Sequence, residues 1–384
     1  MSRRVALAIA AMSASQVAIY IARPMTSYRL LGVGAGAREI GLVTAAFAVL
    51  PLFLAIPLGR WADRRRLPWV TIGCGIQIVA CALLGTVESA VAVGAASALL
   101  GLGHLGVALG VQELIARESD DAHHDRHFGL LTAGVALGQL VGPLAGGVVV
   151  GSASGAALVG ATGRALVLAA AVAGVATVLA FASERSARPG LAAQLDTARG
   201  SVRGILGLPG VPSAMLASIA VLAAADVFTA YMPLLGEERG IAPSVVGVLL
   251  ALRAGSSVTA RLGISWLVRR VGRSRLIALS TLAAAGGFAA MTATNQVVGL
   301  ALLTIVVGAG LGYGQPLSMT LVVQRVPRHA RATALAVRLT GNRLGQVAAP
   351  AAAGVVAGNA GTGAVFWLLS GLLVASAVAV GRGD

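Results

Sequence analysis

The chain has 384 residues, 57% hydrophobic and 11% charged, with 51 glycines and a mean hydropathy of +0.87. So few polar residues cannot cover a water-soluble surface, and the composition excludes an ordinary soluble globular protein in favour of a chain that crosses a bilayer repeatedly. The net charge of +15 would suggest a nucleic-acid partner in a soluble protein, but here most of the basic residues fall in alternate loops between apolar stretches, a distribution that argues against one.

In chain order, apolar stretches close to the ~20 residues that span a bilayer run over 5–23, 39–59, 68–88, 91–115, 128–151 and 161–182. Six more run over 210–235, 242–267, 274–293, 297–323, 331–357 and 361–380. They predict an all-α membrane protein of twelve transmembrane helices: a six-helix bundle over 1–182, a polar linker over 183–209 and a second six-helix bundle over 210–384. No small-residue cleavage site follows the first stretch, which reads as a retained span.

All 29 basic residues are arginine. Arg3 and Arg4, Arg60 and Arg64 to Arg66, Arg117 and Arg126, Arg185 to Arg203, Arg269 to Arg275, and Arg325 to Arg331 fall in every second loop. The positive-inside rule makes those loops cytoplasmic, puts both termini inside and predicts a multi-pass protein of the inner (plasma) membrane. Cys74 and Cys81 share a face of the third stretch at a separation too long to bridge. The loop "RESDDAHHDRH" gathers His123, His124 and His127 with three aspartates, but its spacing fits no ligand scaffold and reads as a solvated loop. No nucleophile with its base and no paired carboxylates occur, so an enzyme is not expected.

Two internal matches relate the halves. "GVALGQLVGPLAGG" at 134–147 recurs as "GNRLGQVAAPAAAG" at 341–354, an offset of 207, and "GRWADRRRLPWV" at 59–70 aligns with "SWLVRRVGRSRL" at 265–276. A duplicated unit of this kind places a substrate site between its halves near the bilayer midplane. Glycines at i, i+4 and i+8 let a neighbouring helix approach backbone to backbone, and Pro143 bends the helix that carries them.

These residues resemble the major facilitator superfamily. Its loop after the second helix reads G-x-x-x-D-R-x-G-R-R, met here at Gly59, Asp63 and Arg64, with Arg66 in place of the second glycine. The fifth stretch is similar to that superfamily's antiporter signature, met at Gly134, Gly138, Gly142, Pro143, Gly146 and Gly147. The resemblance implies alternating access, with the glycine motif sealing the path between the halves and Asp63 latching one conformation. It also implies a secondary transporter that exports a small organic molecule, a drug or metabolite, in exchange for protons. The proton gradient replaces any cofactor, and a monomer suffices. Two positions depart from the exporter pattern: the first span has no acid and the fourth lacks an arginine.

An ionisable group in the bilayer core marks function by its cost. Asp226, Arg253, Arg261, Arg338 and Arg343 are such groups in the second half. Asp226 is expected to bind and release protons, with Arg253 its counter-ion and His104 a further coupling residue. Arg338, Asn342 and Gln346 share one helix face with Arg343 beside them, a positive cavity for an anionic or zwitterionic substrate. Alternatively, Arg338 snorkels to the interface. Tyr20 and Arg23 at the end of the first span, and Gln315 before Pro316, complete the expected substrate contacts. The arginines also leave open an uptake symporter or exchanger of an organic anion.

Overall fold

The computed structural model describes residues 2–64, 67–118, 121–185, 201–327 and 330–382, with the side chains of 56, 59–64, 121–125 and 332 outside the description. The expectations for Gly59, Asp63 and Arg64 and for the histidine and aspartate loop, apart from His127, therefore lie outside the described side chains.

Among the described residues the first half is α1 (Arg3–Gly32), α2 (Ala37–Arg64), α3 (Trp69–Thr86), α4 (Ala90–Glu118), α5 (Asp121–Val150) and α6 (Ala157–Glu184). A five-residue helix, α7 (Val202–Leu206), lies in the linker. The second half is α8 (Val211–Glu238), α9 (Pro243–Leu262), the short α10 (Ile264–Val271), α11 (Arg273–Met291), α12 (Val297–Arg325), α13 (Arg331–Ala360) and α14 (Thr362–Arg382). Eleven are long and apolar enough to span a membrane. The twelfth, α13, has the length, but Arg338, Asn342, Arg343 and Gln346 make it more polar than the rest.

Two expected boundaries are corrected. The first span does not end at Arg23: α1 continues through Pro24 to Gly32, so Arg23 sits inside the helix. Proline is tolerated there because neighbouring groups in a packed bundle meet the freed backbone atoms, and Thr26 Oγ1 donates to Ala22 O at 2.8 Å. The eighth span stops at Leu262, and 264–271 forms a separate helix with no buried residue, where Arg270 stacks 4.5 Å from the Trp266 ring. Such an amphipathic segment suits the bilayer interface.

Within each half the packing repeats. In the first, α1 packs on α5 and α6, α3 on α4 and α6, and α2 on α4; in the second, α8 packs on α12, α13 and α14, α11 on α12 and α14, and α9 on α12. Matching arginines close the helix ends. Arg29 donates to Val87 O (2.7 Å) and Val159 O (3.2 Å), and Arg239 donates to Met291 O (3.0 Å) and Thr294 O (2.6 Å). Val87, Met291 and Thr294 lie at or just past the C-termini of α3 and α11, where carbonyls are left open; Val159 is in the first turn of α6. At the opposite end, which carries the linker, Arg4 pairs with Glu118, and the Glu184 carboxylate accepts from Val70 N (3.0 Å) and Thr71 N (3.1 Å) at the start of α3. An anion is favoured at a helix N-terminus.

The halves meet through two symmetry-related crossings, α2 with α13 and α5 with α9. Both are built on glycine. A methyl on Gly41 would lie 2.6 Å from Gly354 Cα, and one on Gly247 would lie 2.5 Å from Pro143 O and 3.2 Å from Gly147 Cα. Alongside them, Ser244 N donates to Gly151 O (3.1 Å) and Tyr231 OH to Ala37 O (2.9 Å). All these contacts lie at the end far from the linker, which is therefore closed.

The other motif glycines work within their own half. Methyls on Gly134, Gly138 and Gly142 would collide with Ser13, Gln16 and Tyr20 of α1, and one on Gly146 would touch Met25. Of the motif, Pro143 and Gly147 face the other half, while the remaining glycines set how near α1 lies to α5. Gly142→Ala puts a methyl 2.7 Å from Tyr20 Cβ and 2.9 Å from Val17 O. It is expected to cost about 1–3 kcal/mol as an overpacked contact, checked by the unfolding midpoint of the purified protein.

Candidate functional site

At mid-height of the seam, α1 of the first half faces α8 of the second. Asp226 is 6% exposed, and its Oδ1 accepts from Arg23 Nη1 at 2.7 Å. Its Oδ2 accepts from Gln346 Nε2 of α13 at 2.6 Å, and Arg343 Nη1 donates to Gln346 Oε1 at 3.0 Å. One carboxylate therefore ties the two halves together and holds the polar face of α13.

The counter-ion of Asp226 is Arg23, not Arg253 as expected. Arg23 could not be recognised as the partner while its helix was thought to end there. In α1 it sits about two turns inside the helix, pointing across the seam, with its guanidinium carbon 5.0 Å from the centroid of the Phe47 ring. Such a cation over an aromatic ring is attracted to it. Arg253 is nonetheless beside the pair: it is 6% exposed and lines a cavity of about 130 Å³ with Tyr20, Gln139, Asp226, Arg261 and Gln315. Arg261 donates to Gly312 O at 3.0 Å. A smaller cavity of about 20 Å³ lies on the other side of Arg23, against Phe47 and Ser97.

His104 stays apart from the carboxylate. It stacks on Phe47 with ring centroids 6.0 Å apart and 28° between planes, and its Nδ1 is buried without a hydrogen bond. Phe47 thus stands between His104 and the ion pair.

Arg338 and Asn342 form a second cluster. Arg338 Nη2 donates to Gln315 Oε1 (2.7 Å), Gln315 O (3.0 Å) and Ser318 Oγ (3.3 Å), while Ser218 Oγ donates to Asn342 Oδ1 (2.9 Å). Arg338 is 6% exposed, which overturns snorkelling. Its hydrogen bonds to Gln315 and Ser318, and that of Asn342 to Ser218, join α12, α13 and α8 inside one half. The expected polar stripe therefore splits, with Gln346 and Arg343 reaching the seam and Arg338 and Asn342 knitting the second half. Among the described residues no group of histidine, cysteine or acidic side chains could hold a metal ion.

The sequence profile described as Major Facilitator Superfamily matches residues 5–214 and again 214–382. No functionally curated protein matches the chain. Among solved structures, a point mutant of the nucleoside transporter NupG is 16% identical, with a TM-score of 0.77 over 100% of both chains. A bacterial homologue of the human lysosomal transporter Spinster, inward-facing and unoccupied, is 15% identical, with a TM-score of 0.73 over 99% of this chain and 94% of that one. A POT family transporter in complex with a thioalcohol-conjugated peptide is 12% identical, with a TM-score of 0.78 over 97% and 94%. At these identities the likeness is one of fold. With the profile met once in each half and the halves crossing as a symmetric pair, the chain belongs to the major facilitator superfamily and is a transporter rather than an enzyme.

Proposed function

We propose that the protein is a proton-driven secondary transporter that exports a small organic molecule in exchange for protons. The observation that carries this reading is the Arg23–Asp226 pair, which joins the halves at the level of the cavity. Protonation of Asp226 removes the charge that holds Arg23, and with it the central tie between α1 and α8; deprotonation restores it. Because the basic loops, and so the linker end, are cytoplasmic by the positive-inside rule, the closed end faces outward. The glycine face of α5 supports export indirectly: by bringing α1 close it fixes the helix that bears Tyr20 and Arg23.

A second reading, co-transport of an organic anion with protons, is favoured by the excess of arginine: Arg23, Arg253 and Arg343 surround a single carboxylate. Flux in proteoliposomes separates the two by the direction in which an imposed pH gradient drives solute. In either case Asp226→Asn is expected to abolish the response to the gradient while solute exchange at equal pH persists. Wild-type flux indifferent to the gradient would end both readings.

A further inference from the structure

One cation of the central site has neither an ion pair nor a hydrogen-bonded partner among the described residues. Arg253 is 6% exposed, its Nε is buried without a hydrogen-bond partner, and no ion pair or side-chain hydrogen bond joins its guanidinium to any described residue. The one nearby acid is already engaged, Asp226 Oδ1 by Arg23 and Oδ2 by Gln346. The neighbouring arginines have partners of their own: Arg261 at Gly312 O, Arg338 at Gln315, Arg343 at Gln346. A guanidinium cannot shed its proton in a protein, and a buried charge without a partner is among the most costly features a fold can hold.

Arg253 lines the cavity of about 130 Å³, where Arg261 and Ser257 flank it on its own helix and Tyr20 and Gln139 face it from the first half. One water needs about 10–15 Å³ of such space, so the cavity has room for a small solute. With Asp226 neutralised by Arg23, the charge facing it is that of two arginines.

We propose that Arg253 anchors an anionic group of the transported molecule, a carboxylate or phosphate received by its guanidinium fork, with Arg261 adding positive field and Tyr20 and Gln139 contacting the solute across the seam. The proposal rests on the seam cavity being the transport site and is independent of proton coupling.

The test uses the purified full-length protein at fixed ionic strength and follows its unfolding midpoint with benzoate, succinate, inorganic phosphate and phenyl phosphate, each organic carboxylate paired with its neutral amide. At least one anion is expected to raise the wild-type midpoint saturably while its amide does not, and the carboxylate and phosphate arms identify which group is bound. Arg253→Gln should need at least tenfold more of that anion, with Arg253→Lys intermediate. Without ligand, Arg253→Gln should unfold at or above the wild-type temperature, because an unbalanced charge has been removed. A lower ligand-free midpoint for Arg253→Gln, equal anion responses in wild type and variant, or amides as effective as anions would overturn the proposal. An Arg253-dependent anion response with wild-type flux indifferent to a pH gradient would refute proton coupling and leave this assignment standing.

Discussion

Arg23→Gln is expected to destabilise the protein by about 3–5 kcal/mol and to abolish transport. The substitution leaves Asp226 buried with the amide of Gln346 bonded to it and no ion pair, Arg253 lying across the cavity. With side-chain exposures of 11% and 9% for the two partners, water in the adjoining cavity would make good only part of what the lost cation contributes. Asp226→Asn alone strands Arg23 in the same way, apart from its contact with Phe47. The double variant removes both charges and keeps two amides able to hydrogen-bond, so it should recover most of the stability, with an interaction energy of about 1–3 kcal/mol in a double-mutant cycle. It should fold and yet be deaf to a proton gradient. Additive losses around the cycle, measured by equilibrium unfolding in mixed micelles, would show that the pair does not act as a unit and would remove the central argument for coupling.

The second large effect is steric. Gly41→Val and Gly247→Val each place branched carbons where the opposing backbone already lies, 2.6 Å from Gly354 Cα and 2.5 Å from Pro143 O at the first carbon alone. The clash exists only while the far end is closed. Each substitution should therefore disfavour this conformer by about 1–3 kcal/mol, a population shift of roughly 5- to 150-fold. Spin labels at Val91→Cys and Val298→Cys, on exposed far-end positions of α4 and α12, should report longer distances in the variants than in wild type. Cys74 and Cys81 are buried and do not compete for label. Unchanged distances would mean that these crossings do not govern closure.

Hydropathy alone predicted twelve spans, of which eleven are long and apolar enough to cross a membrane among the described residues, because a span must be about as long as the bilayer is thick and is announced by composition. The buried acid was legible for the same reason: Asp226 stands alone in an apolar run, and Gln346 shares a helical face with Arg338 and Asn342, with Arg343 rotated from it by one residue. The identity of its partner was not. Arg23 followed by Pro24 looks like a span's end, and only the packing of α1 across α8 shows that the helix continues through Tyr28 and Arg29, both 2% exposed or less. Likewise the glycine periodicity predicted a close contact but not with whom, so a seal between halves was expected where most of the stripe packs on its own half. Pairing across a seam is a property of tertiary placement, and local sequence carries no record of it. Among the described residues it is Glu184 that caps a helix start, at α3; the Asp63 side chain lies outside the description.

The glycine crossings also bear on how readily the halves can part. A seam of interlocked leucines would immobilise roughly 0.5–1 kcal/mol of rotamer entropy per side chain each time it formed, and would have to melt that ordered layer at every turnover. Glycine has no rotamers to freeze. Where Gly41 meets Gly354 and Gly147 meets Gly247, the two surfaces can join and separate as bare backbone, so that beyond the Tyr231 hydroxyl at Ala37 few side chains need be reset at these crossings before the next cycle begins.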